Sequence, residues 1–200
     1  MNNLTFFRNI EFILYLLFSL LLAFFFQNNF LPSEDASILF RYSENFADTG
    51  IISYNLNEPP VEGVTDFLWM LILSAFYFIG IDTYFSAIVI NLISLYFIIK
   101  LIQKYYLLSK LDFYLLFFFH FTLTQTYSAI LGFSVLFVEL ILVLVILNFL
   151  KKRILATLFY SFVGCLIRPD FILFIIIPNI VNLIQNLNTK TVRLYICFIL

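Results

Sequence analysis

Long apolar runs separated by short polar interruptions constrain this chain more than any other feature. They cover residues 12–26, 67–79, 84–99, 113–121, 129–150, 154–167, 171–184 and 194–200. A membrane-crossing helix needs about 20 mostly apolar residues, and fewer where flanking side chains snorkel to the interface. Composition agrees: 63% of the residues are hydrophobic and only 12% charged, against roughly 45–50% and about 25% in soluble domains. The chain therefore reads as an all-α, polytopic transmembrane helix bundle of about six to eight apolar segments.

The first run, 12–26, follows Arg8 and precedes Gln27-Asn28-Asn29. A cleaved signal peptide wants small residues at its cleavage site, and Ala23-Phe24-Phe25-Phe26 offers none. An uncleaved first helix is expected. Residues 27–66 then form an outer loop, and 67–200 the remaining helices of a single transmembrane domain. Pro178 inside the run 171–184 suggests a kink and not necessarily an end. The run 194–200 closes the sequence without a polar tail, which suggests the N-terminal half of something longer.

Charge is uneven. Seven of the twelve acids (Glu34, Asp35, Glu44, Asp48, Glu58, Glu62 and Asp66) fall between Leu31 and Asp66, against one base, Arg41. Lys100, Lys104 and Lys110 mark one short loop, and Lys151-Lys152-Arg153 another. The positive-inside rule makes both basic loops and the N-terminus cytoplasmic, and the acidic loop external. Phe, Ile and Asn richness suits an AT-rich bacterial genome, so the membrane is the bacterial cytoplasmic membrane. One parity problem follows. An odd number of crossings must join Asp66 to Lys100, yet two apolar runs lie between them. Either the short run 67–79 is a partial or tilted segment, or one basic loop breaks the rule.

A net charge of −1, with no basic stripe to neutralise phosphates, excludes nucleic acid as a partner. Cys165 and Cys197 lie in apolar runs and read as small core residues. His120 is alone among phenylalanines and reads as a packed, hydrogen-bonded residue before a metal ligand. Glu139, in the longest run, reads as a helix–helix hydrogen-bonding partner before a cavity residue.

Within the acidic loop, Pro32-Ser33 precedes Glu34-Asp35, and Ile38, Leu39, Tyr42 and Phe46 recur at helical spacing, with Gly50 as a stop. That pattern predicts an amphipathic helix lying along the membrane surface. Tyr54 and Trp69 suit an interfacial belt. Glu34-Asp35 has two readings: acids that favour a helix N-terminus for its dipole, or a carboxylate pair that acts as a base or holds a cation. Glu62-Gly63 is a turn before a helix or part of a site. Arg168 beside Pro169 satisfies a broken helix or serves function.

Several short stretches, in order, carry a resemblance. They are Glu34-Asp35-Ala36-Ser37-Ile38-Leu39-Phe40-Arg41-Tyr42, then Gly50 and Tyr54-Asn55, then Val61-Glu62-Gly63-Val64-Thr65-Asp66-Phe67-Leu68-Trp69, and finally Arg168-Pro169-Asp170. The pattern resembles the first outer loop of polytopic GT-C glycosyltransferases, most closely the branch with the mycobacterial terminal arabinofuranosyltransferases. It departs from that branch at Glu34, where Asp is usual. It departs again at Gly132-Phe133-Ser134, where a Gly-Met-Glu is common.

The resemblance implies transfer of a sugar from a polyprenyl-phosphate carrier to a hydroxyl of a cell-envelope glycan or glycolipid. Asp35 is then the base, with Glu34 assisting it or the two holding a divalent cation (Mg or Mn). Arg41 or Arg168 would meet the departing phosphate, and Glu62 would contact substrate. The competing expectation is a non-enzymatic polytopic protein, a lipid-carrier transporter or assembly partner, or an inactive fragment. Transport predicts paired acids and bases deep inside the helices.

Overall fold

The computed structural model describes residues 2–56, 63, 65–121 and 124–185, with the backbone alone for 2–9, 113, 121, 124 and 125. Every regular element among them is helical. The α-helices are α1 (Asn2–Asn29), α2 (Glu34–Thr49), α3 (Phe67–Phe78), α4 (Thr83–Tyr106), α5 (Lys110–Phe121), α6 (Thr124–Ile130), α7 (Val135–Leu150), α8 (Ile154–Ile167) and α9 (Ile172–Gln185), with a 3-10 turn at Pro169–Phe171. Two stretches, Ile10–Asn29 and Thr83–Tyr106, are long and apolar enough to cross a membrane. Large apolar side chains face outward, with Leu21 70% and Leu173 72% exposed, while small polar ones such as Ser19 and Thr157 are fully buried. Small residues between helices let their backbones approach closely.

Helices α1 and α4 run antiparallel. Glu11 pairs with Lys100 at 2.9 Å, and the Tyr15 hydroxyl donates to the Leu92 carbonyl at 2.7 Å. Lys100 and Lys104 thus sit on a helix and not in a loop, because α4 continues to a left-handed Leu107 whose N–H returns to Gln103. Lys151 lies 5.6 Å over the Tyr105 ring, so the two basic segments share one end of the bundle.

Helix α3 starts beside the head of α7. At its start, Asp66 accepts from the Ser134 hydroxyl at the head of α7, and Trp69 packs its ring 5.6 Å from that of Phe137. Asn91, two turns inside α4, binds the same α7 head: it donates to the Phe133 carbonyl at 2.8 Å and accepts from the Leu136 N–H at 3.1 Å. Helix α3 therefore begins at a level that α4 reaches only after two turns. The two form a short hairpin, turned at Gly80 (φ 85°), whose tip points away from the basic end. Of the two apolar runs between Asp66 and Lys100, only the second reaches that end.

The expected amphipathic helix is α2. Ser33 caps it by accepting from the Ala36 N–H, Glu34 and Asp35 fill its first turn, and a left-handed Gly50 closes it. It packs along the α3–α4 hairpin, where Glu44 accepts from the Thr83 hydroxyl at 3.0 Å and Phe40 stacks near Tyr84.

The longest apolar run, 129–150, is not one helix. It breaks between α6 and α7, where Gly132 takes φ +102° and a Cβ would meet the Phe40 ring at 2.6 Å. Ser33 N–H donates to the Leu131 carbonyl at the same break. A run of apolar side chains carries no record of a single glycine that must turn left-handed beneath another helix. Pro178, by contrast, stays inside α9 as expected. His120 and Glu139 find each other at 3.1 Å across α5 and α7, so each is hydrogen-bonded, as read from sequence. Cys165 is a free, half-buried thiol. Cys197 and the run 194–200 lie outside the described residues.

Candidate functional site

Opposite the basic end, the N-termini of α2, α3 and α7 meet the corner between α8 and α9 around a cavity of about 350 Å³. Asp35 and Ala36 come from α2, Gly63, Thr65, Asp66 and Trp69 from the approach to α3 and its first turn, Gly132, Phe133 and Ser134 from the α6–α7 break, and Arg168 from the corner. Helix N-termini present a positive dipole end, although the α7 N–H groups of Leu136 and Phe137 already go to Asn91 and that of Ala36 in α2 to Ser33. Three such termini around one cavity favour anionic groups there, both the protein's carboxylates and an anionic ligand.

Local sequence explains each position. Pro169 forces Arg168 into an extended backbone (φ −141°, ψ 122°), as expected for a residue before proline, and this ends α8. Phe171 then packs over Gly164, where a Cβ would overlap its ring. That closeness fixes the corner. Arg168 Nε forms an ion pair with an Asp170 carboxylate oxygen at 3.2 Å.

Asp66 is the most constrained carboxylate. Ser134 Oγ donates to one of its oxygens at 3.0 Å and Thr65 Oγ1 to the other at 3.3 Å. Burial pushes its pKa up from the ordinary carboxylate value, opposed by the Ser134 hydrogen bond, the Arg168 charge and the Thr65 hydroxyl. Asp35, in the α2 wall, is exposed. The indole N–H of the buried Trp69 has no partner among the described residues.

The cavity gathers Asp35 and Arg168 of the residues read from sequence. Glu34, adjacent to Asp35 on α2, is about 100° away around the helix and does not line the cavity; nor does Arg41, which is exposed further along α2. Glu62 lies outside the described residues, although Gly63 beside it lines the cavity. Among the described residues, no three His, Cys, Asp or Glu side chains gather as a metal site. Mg²⁺ commonly takes only one or two carboxylates, with phosphate and water completing its shell. Asp35 could supply one ligand, whereas the Glu34–Asp35 pair does not share a face.

Sequence reading missed Ser134 and Asn91 as site-builders, and gave Asp66, the last acid of the loop and part of the stretch 61–69, no role of its own. The available signal was Asn91, an amide in an apolar helix interior, where a polar side chain needs a partner. Comparison with protein-family models, curated proteins and solved structures returned no match to this chain.

Proposed function

We propose that this chain is a membrane glycosyltransferase of the GT-C type, or part of one, acting on a polyprenyl-phosphate-linked sugar. The observation that carries this reading is the cavity at three helix N-termini, with Asp35 and Asp66 in its walls and Arg168 at its corner. In this reading α1 and α4 cross the bacterial cytoplasmic membrane. Helices α7, α8 and α9, with α5 and α6 as one broken crossing, complete about six passes. The basic end faces the cytoplasm, and α2 lies along the outer interface. The isoprenoid tail stays in lipid while its sugar-phosphate reaches the cavity.

The reaction uses these groups directly. The hydroxyl oxygen of a glycan or glycolipid acceptor attacks the anomeric carbon. The bond from that carbon to the phosphate oxygen breaks, and the phosphate leaves with the electron pair. The hydroxyl proton passes to the Asp35 carboxylate. Arg168 and the helix N-termini meet the negative charge left on the phosphate. A divalent cation at Asp35 would supply further charge neutralisation there; loss of activity in EDTA, restored by Mg²⁺ or Mn²⁺, tests that requirement.

The decisive experiment supplies labelled farnesyl-phosphoryl monosaccharides to membranes holding the full chain or its Asp35→Asn variant. Sugar incorporation by the wild type alone, at equal abundance, supports the reading. Equal incorporation by both removes Asp35 from the mechanism.

A second reading, movement of a lipid carrier, is favoured by one observation. His120 and Glu139 form an acid–base pair between apolar helices, and intramembrane ionisable residues commonly serve transport. If Glu139→Gln abolished passage of a fluorescent polyprenyl phosphate across proteoliposomes while sugar transfer was absent from the wild type, transport would replace transfer.

A further inference from the structure

An aspartate just before an apolar helix ordinarily caps it, accepting from the N–H groups of the first turn. Asp82 does this for α4, taking the Phe85 N–H at 2.8 Å. Asp66 occupies the same position before α3 yet makes no such bond, with φ −90° and ψ 61°. Its carboxylate instead turns to the cavity, where Ser134 holds one oxygen and Thr65 the other. A capping role therefore does not explain this residue.

The remaining geometry suits recognition of hydroxyl groups. A carboxylate has about four acceptor positions, and the Ser134 and Thr65 hydroxyls occupy two. The Trp69 ring, 1% exposed, bounds the same cavity. A small cavity with a fixed carboxylate in its wall offers acceptors to the hydroxyls of one polyhydroxylated ring. Sites built to bond a hydroxyl discriminate strongly against analogues that lack it.

We propose that Asp66, held in place by Ser134, is the specificity-determining residue of the site, accepting hydrogen bonds from ring hydroxyls of the transferred sugar. This rests on the glycosyltransferase reading. The two carboxylates then have separate roles, since Asp35 takes the proton and Asp66 selects the sugar.

The test uses the full chain in nanodiscs, with farnesyl-phosphoryl monosaccharides and their single-deoxy analogues as donors. For Asp66→Asn, KM for the parent donor should rise about 10- to 100-fold, the scale of a lost hydrogen bond to a charged group. The change in kcat should stay within about threefold, and preference for the parent over one deoxy analogue should collapse towards unity. Ser134→Ala should move KM and preference in the same direction by a smaller factor, which guards against misfolding of the first variant. A fall in kcat with KM and preference unchanged in both variants would overturn the assignment. Absence of turnover by the wild type with every donor would instead remove the glycosyltransferase reading, and this proposal with it.

Discussion

The two ends of the bundle both carry charge, and they use it differently. At the basic end, charges are satisfied locally: Lys100 pairs with Glu11 at 2.9 Å and lies 5.5 Å over the Tyr96 ring, and Lys151 covers Tyr105. At the other end, Asp35, Asp66 and Arg168 stand around a cavity made by helix N-termini. The first arrangement spends Lys100 and Lys151 on neighbouring side chains, whereas the second sets its charges around a shared space. Charge density alone does not separate anchoring from chemistry; convergence on a cavity does.

The largest effect should come from breaking the cavity end. Asp35→Asn should reduce sugar transfer by about 10²- to 10⁴-fold, the usual contribution of a positioned base. Arg168→Gln should cost about 10²- to 10³-fold, as for removal of one charge-stabilising donor. Both variants should retain wild-type abundance in the membrane, because both side chains are substantially solvent-facing. Rates from labelled-donor incorporation, normalised to immunoblot abundance, check this. Losses below tenfold for both would mean that the cavity is not where charge develops.

The next effect is on the scaffold. Gly132→Ala must bear a left-handed backbone, at about 1–2 kcal/mol, and a Cβ 2.6 Å from Phe40 and 3.0 Å from Ala36, at about 1–3 kcal/mol more. Gly50→Ala shares the positive φ, but its Cβ meets nothing within 4 Å. Melting in detergent should therefore separate the two variants, with Gly132→Ala the lower. Equal melting temperatures would mean that the contact between α2 and the α6–α7 break does not hold the cavity wall.

What could be read from sequence followed from repetition. Helix α2 announced itself by the spacing of Ile38, Leu39, Tyr42 and Phe46 and by Gly50, and α8 matches its apolar run of 154–167. Features set by a single residue in three dimensions did not. The break at Gly132 depends on Phe40, far away in sequence. The course of α3 away from the basic end depends on Asn91 and Ser134, which fix its start level with the head of α7. Asp66 was visible as an acid, but its failure to cap α3 is a matter of dihedral angles. Glu34 and Asp35 looked equivalent in a linear motif, and helical rotation separates them.

Asp66→Asn sharpens the contrast through pH. Burial raises the folded-state pKa of Asp66 above its ordinary 3.8, so the folded chain binds this proton more tightly than the unfolded one. Stability from this group therefore falls as pH rises above that value and levels off beyond the raised pKa. The asparagine variant lacks this term and can still accept from Ser134. Its melting temperature should match the wild type in acid and exceed it increasingly towards neutral pH. A difference that ran the other way would mean that hydrogen bonds, not burial, dominate the environment of Asp66.

The smallest effect belongs to the basic end. Glu11 and Lys100 are partly solvated, with side chains 34% and 26% exposed, and such pairs contribute about 0.2–1 kcal/mol. Glu11→Gln should lower the melting temperature only slightly, more at low salt than at high salt, since screening already weakens the pair. It should leave sugar transfer within about twofold of wild type, because the pair lies beyond the α7 head from the cavity, near the far end of α4. A large loss of transfer in Glu11→Gln, at unchanged stability, would join the two ends functionally and dissolve the distinction between local pairing and convergence.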